Sequence, residues 1–309
     1  MNRVSRLDRI GVAAGVFSYT FWGFFPIYWK LLSHISAFEV LLHRVLWSFV
    51  FYVLLLRFTS AIQLQEIFSQ SRRDWFLSFV ASLLLSLNWG LYIYAVNTGH
   101  VLEGSLAYFI NPLLNVVVGV LFFKEGFPRP LLIAVLLAGA GVLWRVLATD
   151  SLPWIASVLA ITFCTYGIVK KLLKIEPRLS SVMESFALLG PALILALWLR
   201  QTSSVSLSWQ DWALLAGSGA VTGIPLYLFS LAVQRVPYSF LGMTQFIAPS
   251  LQFLVGYYMY NEAVSRGAWV SFALIWAGAS VYLVYQFQLL VDQAARLKRE
   301  KKAAKTRGL

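Results

Sequence analysis

Ten long apolar segments, separated by short polar stretches, occupy the chain from its N-terminal region to residue 290. Because about twenty apolar residues in a helix cross the hydrocarbon core of a bilayer, each segment predicts one transmembrane helix. The longest polar stretch, Phe58 to Asp74, favours a short amphipathic helix on the membrane surface. The predicted transmembrane helices are 10–29, 37–57, 75–96, 102–123, 128–148, 152–170, 179–199, 210–232, 237–260 and 267–290.

The composition agrees with an all-α integral membrane protein and excludes a large soluble domain. The chain is 59% hydrophobic and 12% charged, which is about half the charged fraction of an ordinary soluble domain. The first apolar segment has a basic flank but no small-residue cleavage site, so we interpret it as an uncleaved helix rather than a signal peptide. Cys164 is the single cysteine, so neither an intrachain disulfide nor redox chemistry is expected.

Lysine and arginine are distributed unevenly between alternate loops, and this predicts the orientation. Of the 25 basic residues, 20 fall in the N-terminus, the tail and the loops that would share their side; 4 fall in the other loops, and Arg44 lies inside the second helix. The positive-inside rule therefore places both termini in the cytoplasm. It also explains the net charge of +12 better than nucleic-acid binding would. The basic tail, residues 291–309, is expected to be disordered and to lie near anionic lipid.

Residues 1–148 and 152–290 are predicted to be two copies of one five-helix unit. At a shift of 137 residues, the aligned pairs include Pro112 with Pro249, Gly119 with Gly256, Glu125 with Glu262 and Gly141 with Gly278. Earlier elements follow at a shift of 141, as for Lys30 and Lys171. Since five is an odd number, the second copy would enter the membrane upside down. Inverted repeats are typical of secondary transporters, whose substrate site lies near the midplane between the halves.

The second helix carries three ionisable residues, Glu39, His43 and Arg44. Ionisable residues inside a bilayer are costly and mark functional sites by default. Glu39 and His43 are four residues apart and share a helical face, which indicates a proton-sensitive or anion-attracting cluster for coupling or gating. An internal salt bridge, or snorkelling toward the interface, is the structural alternative. Glu184, the repeat counterpart of Glu39, is interpreted as interfacial.

The third helix presents polar and aromatic side chains close to the predicted midplane. Asn88 and Tyr92 share a face, and Trp89 lies beside them. Pro225 occupies the matching place in the eighth helix, where it would free a backbone carbonyl, and Tyr227 follows it. Interruptions in both halves favour a binding cavity, while an interhelical hydrogen-bonding role for the amide is the alternative.

The fourth and ninth helices repeat one polar pattern. Tyr108 and Asn111 precede Pro112, and Gln245 precedes Pro249. These amides could hydrogen-bond a substrate or satisfy carbonyls freed by proline kinks. Three prolines inside predicted helices, Pro112, Pro225 and Pro249, are candidates for gating. The comparable regions of the first and sixth helices add two further candidates for substrate binding, Trp22 and Tyr166.

Two further features concern packing rather than chemistry. The pairs Gly11 with Gly15 and Gly219 with Gly223 have the small-xxx-small spacing that allows helices to approach closely. Glu125 stands at a helix end and is interpreted as a loop cap rather than a transport carboxylate.

Four stretches and one cluster also carry a family resemblance: Leu87–Asn97, Glu103–Leu113, Gly223–Phe229 and Gln245–Pro249, with Glu39, His43, Arg44, Trp47 and Ser48. The chain resembles the RarD-type permeases of the EamA group in the drug/metabolite transporter superfamily, over nearly its whole length except the basic tail. The resemblance implies a ten-helix bundle in a bacterial inner membrane that exports small metabolites or amphipathic compounds; the RarD group is associated with chloramphenicol sensitivity. It implies a central cavity faced by Asn88, Trp89, Tyr92, Tyr108, Asn111 and Gln245.

The leading interpretation is therefore a secondary permease or exporter of a small organic solute that works by alternating access. No Walker-type phosphate loop is present, so direct ATP drive is not expected. Glu39 and His43 are the candidates for proton coupling, and facilitated diffusion is the alternative. An accessory or sensing protein and a membrane-embedded enzyme are the other functional classes, but no histidine, aspartate or cysteine cluster favours an enzyme. We expect no cofactor or metal; the partners would be a small-molecule substrate and the lipid bilayer. A monomer would suffice, although a homodimer is compatible.

Overall fold

The computed structural model describes residues 8–59, 65–97, 101–147, 154–202, 207–261, 264 and 266–306. Secondary structure in these ranges is entirely helical, as predicted. Each of the ten apolar segments coincides with one helix, except the ninth, which is divided in two. The helices are α1 (Arg9–Leu31), α2 (Ala37–Thr59), α3 (Gln65–Phe68), α4 (Arg72–Asn97), α5 (Val101–Leu121), α6 (Arg129–Leu147), α7 (Trp154–Leu172), α8 (Pro177–Thr202), α9 (Trp209–Arg235), α10 (Tyr238–Gln245), α11 (Ile247–Tyr260) and α12 (Arg266–Thr306).

Seven helices in the described ranges are long and apolar enough to cross a membrane: α1, α2, α4, α6, α7, α9 and α12. A shorter apolar stretch, Ala107–Leu121, lies in α5. The chain is therefore a multi-pass membrane protein. α10 and α11 are 8 and 14 residues long, so neither alone has the length of a span.

The helices pack in a pattern that joins the two sequence halves throughout. α1 packs on α9 and α11, while α7 packs on α4 and α5. α2 lies against α8 and α9, α5 against α10, and α6 against α12. Neither half therefore forms a separate bundle, and the polar residues of the interior lie where elements of both halves meet.

Both predicted glycine pairs lie where helices approach closely. A Cβ atom added to Gly219 would lie 2.3 Å from the backbone carbonyl of Trp47, and one added to Gly223 would lie 2.4 Å from the Phe51 ring. A Cβ on Gly11 would lie 2.6 Å from the Cβ of Arg235. Small residues are thus required at the α2–α9 and α1–α9 crossings, as the spacing predicted.

Two predictions about the polar stretches have different outcomes. A short helix, α3, does form in the longest loop, where Ile67 is buried and Phe68 is exposed. The prediction of a disordered tail is wrong as far as Thr306, because α12 continues from the membrane segment as one helix of 41 residues. Residues 291–306 are rich in alanine, lysine and arginine, which have high helix propensity, and this accounts for the extension.

The prolines differ in what they do to their helices. Pro112 and Pro225 lie inside the continuous helices α5 and α9. The ninth segment alone is divided, at Phe246, which ends α10 and begins α11. Pro249 stands in the first turn of α11, where a missing N–H is tolerated. The predicted kink is therefore an interruption of the helix at Phe246, before Pro249, rather than a bend at Pro249 itself.

Candidate functional site

Arg44 occupies a central position in the bundle. Its guanidinium carbon lies 4.7 Å from the centre of the Trp29 ring and 4.5 Å from that of Trp89, and its Nε donates to Thr222 Oγ1 at 3.1 Å. These contacts bring together α1, α2, α4 and α9. Arg44 takes no part in the ion pairs found within the described ranges, so the internal salt-bridge alternative does not apply to it.

Two tyrosines complete this group. The rings of Tyr92 and Tyr108 are in edge contact at 6.3 Å between centroids. They are 38% and 37% exposed and lie close to Arg44. We call the set Trp29, Arg44, Trp89, Tyr92, Tyr108 and Thr222 the Arg44 cluster. Its accessible surface combines a cation, two phenol groups and aromatic faces, and could bind a small organic molecule.

Asn88, predicted beside this group, is turned toward α7 and is half-buried. Its Nδ2 donates to the Leu159 carbonyl at 2.8 Å and to Thr162 Oγ1 at 2.9 Å. Both amide protons therefore serve the α4–α7 contact, which is the interhelical role that the sequence left open. Trp89, the next residue, is on the Arg44 side.

The other predicted amides form a buried chain between α5, α7 and α10. Asn111 donates to the Ala160 carbonyl at 2.7 Å, and Asn115 donates to Asn111 at 3.0 Å and to Gln245 at 2.8 Å. Asn111 is 2% and Gln245 is 6% exposed. These hydrogen-bonded amides connect α5, α7 and α10. The buried Oδ1 of Asn115 has no hydrogen-bond partner, so one acceptor remains unused.

Trp22 and Tyr166 lie in one aromatic core, where Tyr166 is buried and Trp22 is partly buried. Tyr166 is 1% exposed and stacks on Phe229 at 5.9 Å, and Trp22 contacts Phe229 at 5.8 Å. The hydroxyl of Tyr19 is buried in the same core without a hydrogen-bond partner. Tyr227 is separate from all of these, because it packs against a second cluster between α2 and α8.

A buried ion pair was not anticipated from the sequence. Lys170, the last residue of the sixth predicted helix, is fully buried and bonds to the carboxylate of Glu184, which is 6% exposed. Ser180 accepts from Lys170 at 2.7 Å, and Tyr166 donates to Glu184 at 3.3 Å. The interfacial position of Glu184 stays a prediction, but its carboxylate is buried within the protein and paired with Lys170. Residues 14 apart on consecutive helices meet only when α7 and α8 pack, so no local pattern signals the pair.

Glu39 and His43 lie near one another, as their spacing predicted, with Glu39 close enough to act on the His43 charge. The His43 ring packs edge-on against Trp212 at 5.3 Å, and its Nδ1 is buried without a partner. His43 thus contacts α9, while Arg44 contacts α1 and α4 as well as α9. The side chains of His43 and Arg44 therefore have different neighbours.

Glu125 caps a helix, although not its own. Its carboxylate accepts from the Tyr238 backbone N–H at 2.5 Å, and from the N–H and hydroxyl of Ser239 at 2.8 and 2.7 Å. These groups form the N-terminus of α10, whose positive dipole end favours a carboxylate. Lys171 lies 4.0 Å from Glu125 and donates to the Val236 carbonyl at 2.7 Å. The turn between α9 and α10 is thereby tied to α5 and α7.

No group of His, Cys, Asp or Glu residues suited to a metal ion is found in the part of the chain that the structure covers. The geometry instead gives an accessible aromatic and cationic cluster next to a tightly packed interior.

Comparison with known proteins identifies the family. Residues 9–147 match the EamA-like transporter family. The chain is 38% identical to the uncharacterized transporter YojE of Bacillus subtilis, covering 89% of this chain and 94% of that protein. It is 37% identical to the protein RarD of Escherichia coli, covering 91% and 96% respectively. This chain is a RarD-type EamA permease. The protein RarD of Streptomyces exfoliatus is 39% identical, with 87% of both chains covered.

The relatives of this RarD-type permease cover both predicted halves, whereas the family match covers the first half alone. A solved crystal structure with 17% identity superimposes with a TM-score of 0.69 over 88% of this chain and 96% of that one. That likeness concerns the fold only.

Proposed function

We propose that this EamA permease moves a small organic solute across the bacterial inner membrane by alternating access. Its relative YojE is named a transporter, and the accessible Arg44 cluster provides a place for a solute inside the bundle. Alternating access requires two halves that can exchange shapes. The proposal therefore includes ten membrane crossings, in two inverted units at 1–148 and 152–290, with both termini in the cytoplasm.

The observation that carries this proposal is a matched pair of contacts between α6 and α12. A Cβ on Gly141 would lie 2.7 Å from the carbonyl oxygen of Ser271, and a Cβ on Gly278 would lie 2.6 Å from that of Ala134. Under the 137-residue shift, Gly141 corresponds to Gly278 and Ala134 to Ser271. The two contacts are thus one contact repeated, which is what a two-fold relation between inverted halves produces.

A second matched pair supports the same relation at the centre of the bundle. Asn88 donates to the carbonyl of Leu159 at 2.8 Å, and Ser18 donates to the carbonyl of Pro225 at 2.8 Å. The shift of 137 relates Asn88 to Pro225, and the shift of 141 relates Ser18 to Leu159. The two bonds join matched residue pairs with donor and acceptor exchanged, so in the proposed repeat the α4–α7 crossing would correspond to the α9–α1 crossing.

In this proposed topology, the accessible Arg44 cluster and the closely packed helix ends around Glu125 and Lys170 would lie toward opposite sides of the membrane. The Arg44 cluster is near the start of α2 and the end of α4, which would be external, while Glu125 and Lys170 are near the cytoplasmic helix ends. The described conformation would be open outward and closed inward. Exchange of shapes between the halves would release the α5–α10 contact and close the α4–α5 side around the solute.

A proton is the proposed coupling ion, because Glu39 and the unpartnered Nδ1 of His43 lie near the external side of this path. Uptake into proteoliposomes, with and without an imposed pH gradient, tests this step, using a solute found by a thermal-shift screen of the purified protein. Uptake that ignores the gradient would leave facilitated diffusion as the mechanism.

Cysteine labelling tests alternating access without knowledge of the solute. In a Cys164→Ser background, Tyr108→Cys reports on the external side and Met243→Cys on the buried α10, where Met243 is 1% exposed. In oriented proteoliposomes, a membrane-impermeant maleimide should label Tyr108→Cys from outside and Met243→Cys, more slowly, from the cytoplasmic side. If Met243→Cys reacts from neither side over hours, or both react from the same side, the bundle does not alternate and a scaffold or sensor is favoured.

A further inference from the structure

The hydrogen-bonding capacity of Arg44 is largely unused. A guanidinium carries five N–H donors in a fixed planar fork. The Nε donor is bonded to Thr222, and the ring centres of Trp29 and Trp89 lie 4.7 and 4.5 Å from the guanidinium carbon. The four donors of the two terminal nitrogens therefore have no acceptor among the described side chains and carbonyls.

The charge of Arg44 is also not neutralised by a carboxylate in the described ranges. The other basic residue buried among these helices, Lys170, is paired with Glu184. A cation in the interior of a membrane protein is costly unless it is paired or solvated. Indole faces attract a cation, but they supply no negative charge. The two indole rings thus hold the guanidinium of Arg44 in place. No carboxylate in the described ranges is paired with it.

The groups around the Arg44 guanidinium indicate which kind of ligand it would bind. The planar array of paired N–H donors matches a carboxylate in a bidentate arrangement. Close to it, the partly exposed rings of Tyr92 and Tyr108 offer hydroxyl groups and an aromatic edge. A ligand with a carboxylate attached to an aromatic ring would pair with the guanidinium and pack against the two tyrosine rings.

We propose that the Arg44 cluster binds aromatic monocarboxylates, with the carboxylate on the terminal nitrogens of Arg44 and the ring against Tyr92 and Tyr108. This inference rests on the proposed function, because it takes the cluster to be the solute site. It assigns Arg44 to substrate recognition rather than to coupling or gating.

Binding of three matched probes tests the charge requirement. Phenylacetate, its neutral amide phenylacetamide and the cation phenethylamine share one ring and differ in the charge of the attached group. Isothermal titration on the detergent-purified full chain should give a Kd for phenylacetate that is about 10- to 100-fold lower than that for the amide, the factor expected for charge-assisted hydrogen bonds. Phenethylamine should not bind measurably. Equal affinity for the three probes, or no binding of phenylacetate up to 10 mM, on the order of the weakest Kd that titration measures, overturns the proposal.

Substitution of Arg44 tests the assignment to this residue. Arg44→Gln should abolish the preference for phenylacetate over the amide, and Arg44→Lys should retain part of it, because lysine keeps the charge but loses the fork. Arg57→Gln is the matched control, since Arg57 is exposed at the other end of α2. Circular dichroism and thermal midpoints identify any variant that fails to fold. A folded Arg44→Gln protein that keeps the preference would place the anion site elsewhere and refute the inference.

Failure of this inference is separable from failure of the proposed function. If cysteine labelling shows alternation but phenylacetate does not bind, the permease mechanism stands and the substrate class is wrong. If phenylacetate binds through Arg44 but neither cysteine alternates, the site is real and the protein is a sensor of aromatic carboxylates rather than their carrier.

Discussion

Removing one member of the Lys170–Glu184 pair should destabilise the protein in a way that depends on pH. Lys170 is fully buried and Glu184 is 6% exposed. The change Lys170→Met removes the charge and keeps an apolar stem of similar length. It leaves Glu184 with the neutral hydroxyls of Tyr166, at 3.3 Å, and Ser180 as its side-chain partners. A buried carboxylate held by neutral hydroxyls alone is poorly stabilised.

The size of the loss can be bounded from the structure. Breaking a buried ion pair by removing one partner costs about 3–5 kcal/mol. The orphaned carboxylate can instead take up a proton, which sets an upper limit. Because an ordinary glutamic acid titrates near pH 4.3, this proton uptake costs about 3.7 kcal/mol at pH 7 and about 1.6 kcal/mol at pH 5.5. The destabilisation caused by Lys170→Met should therefore shrink by about 2 kcal/mol between these two pH values.

The measurement is the free energy of unfolding in mixed micelles at both pH values, for the wild-type chain, Lys170→Met, Glu184→Gln and the double variant. The double variant carries no charge at either position and should recover most of the lost free energy of unfolding. The double-mutant cycle should therefore give a coupling energy between Lys170 and Glu184 of at least about 2 kcal/mol. Arg235→Met serves as the control, since the Arg235–Asp8 pair at 3.5 Å is about 40% exposed on both sides and should contribute less than about 1 kcal/mol.

Two results would refute this reasoning. A loss of the same size at both pH values would show that Lys170→Met acts through packing rather than through the orphaned charge. A double variant as unstable as either single variant would show that Lys170 and Glu184 are not coupled.

Two further predictions concern helix contacts, and thermal midpoints in detergent check both. Gly219→Ala should destabilise by about 1–3 kcal/mol because the new methyl group would meet the Trp47 backbone at 2.3 Å; Gly190→Ala, which has no neighbour within 4 Å, should be neutral or slightly stabilising. An equal effect of both changes would exclude a close crossing. Glu125→Ala should cost about 1–3 kcal/mol by leaving the backbone N–H of Ser239 without its acceptor, and an unchanged midpoint would show that Glu125 does not hold α10.

The helices could be predicted from the sequence because lipid leaves the backbone no external hydrogen-bond partners. An apolar stretch of sufficient length must then be helical, and the two glycine pairs follow from the same local spacing. The contacts of Arg44 could not be predicted in this way. Trp29, Trp89 and Thr222 belong to three other helices, and no pattern along one helix specifies which neighbours its polar face will meet.

For the candidate amides, too, the sequence does not specify which groups the side chains contact. Their place along each helix could be predicted, but whether an amide faces a cavity or a neighbouring carbonyl depends on rotation of the helix by a fraction of a turn. Asn88 and Asn111 face the carbonyls of Leu159 and Ala160. The sequence left both roles open because the residue type satisfies either one equally.

The two basic residues buried in the bundle differ in a way that separates structure from function. Lys170 finds its carboxylate and a hydroxyl inside the protein, so its charge is satisfied in the folded chain and contributes to holding α7 against α8. Arg44 is held by two indole rings and one hydroxyl, which fix its orientation but leave its terminal donors unfilled. These terminal donors do not help to hold the folded chain together, because no acceptor in the described part of the protein is bonded to them. Such an arrangement is favoured when a ligand supplies the acceptor, and preorganisation then lowers the cost of binding it. This contrast assigns recognition to Arg44 and structural stability to Lys170.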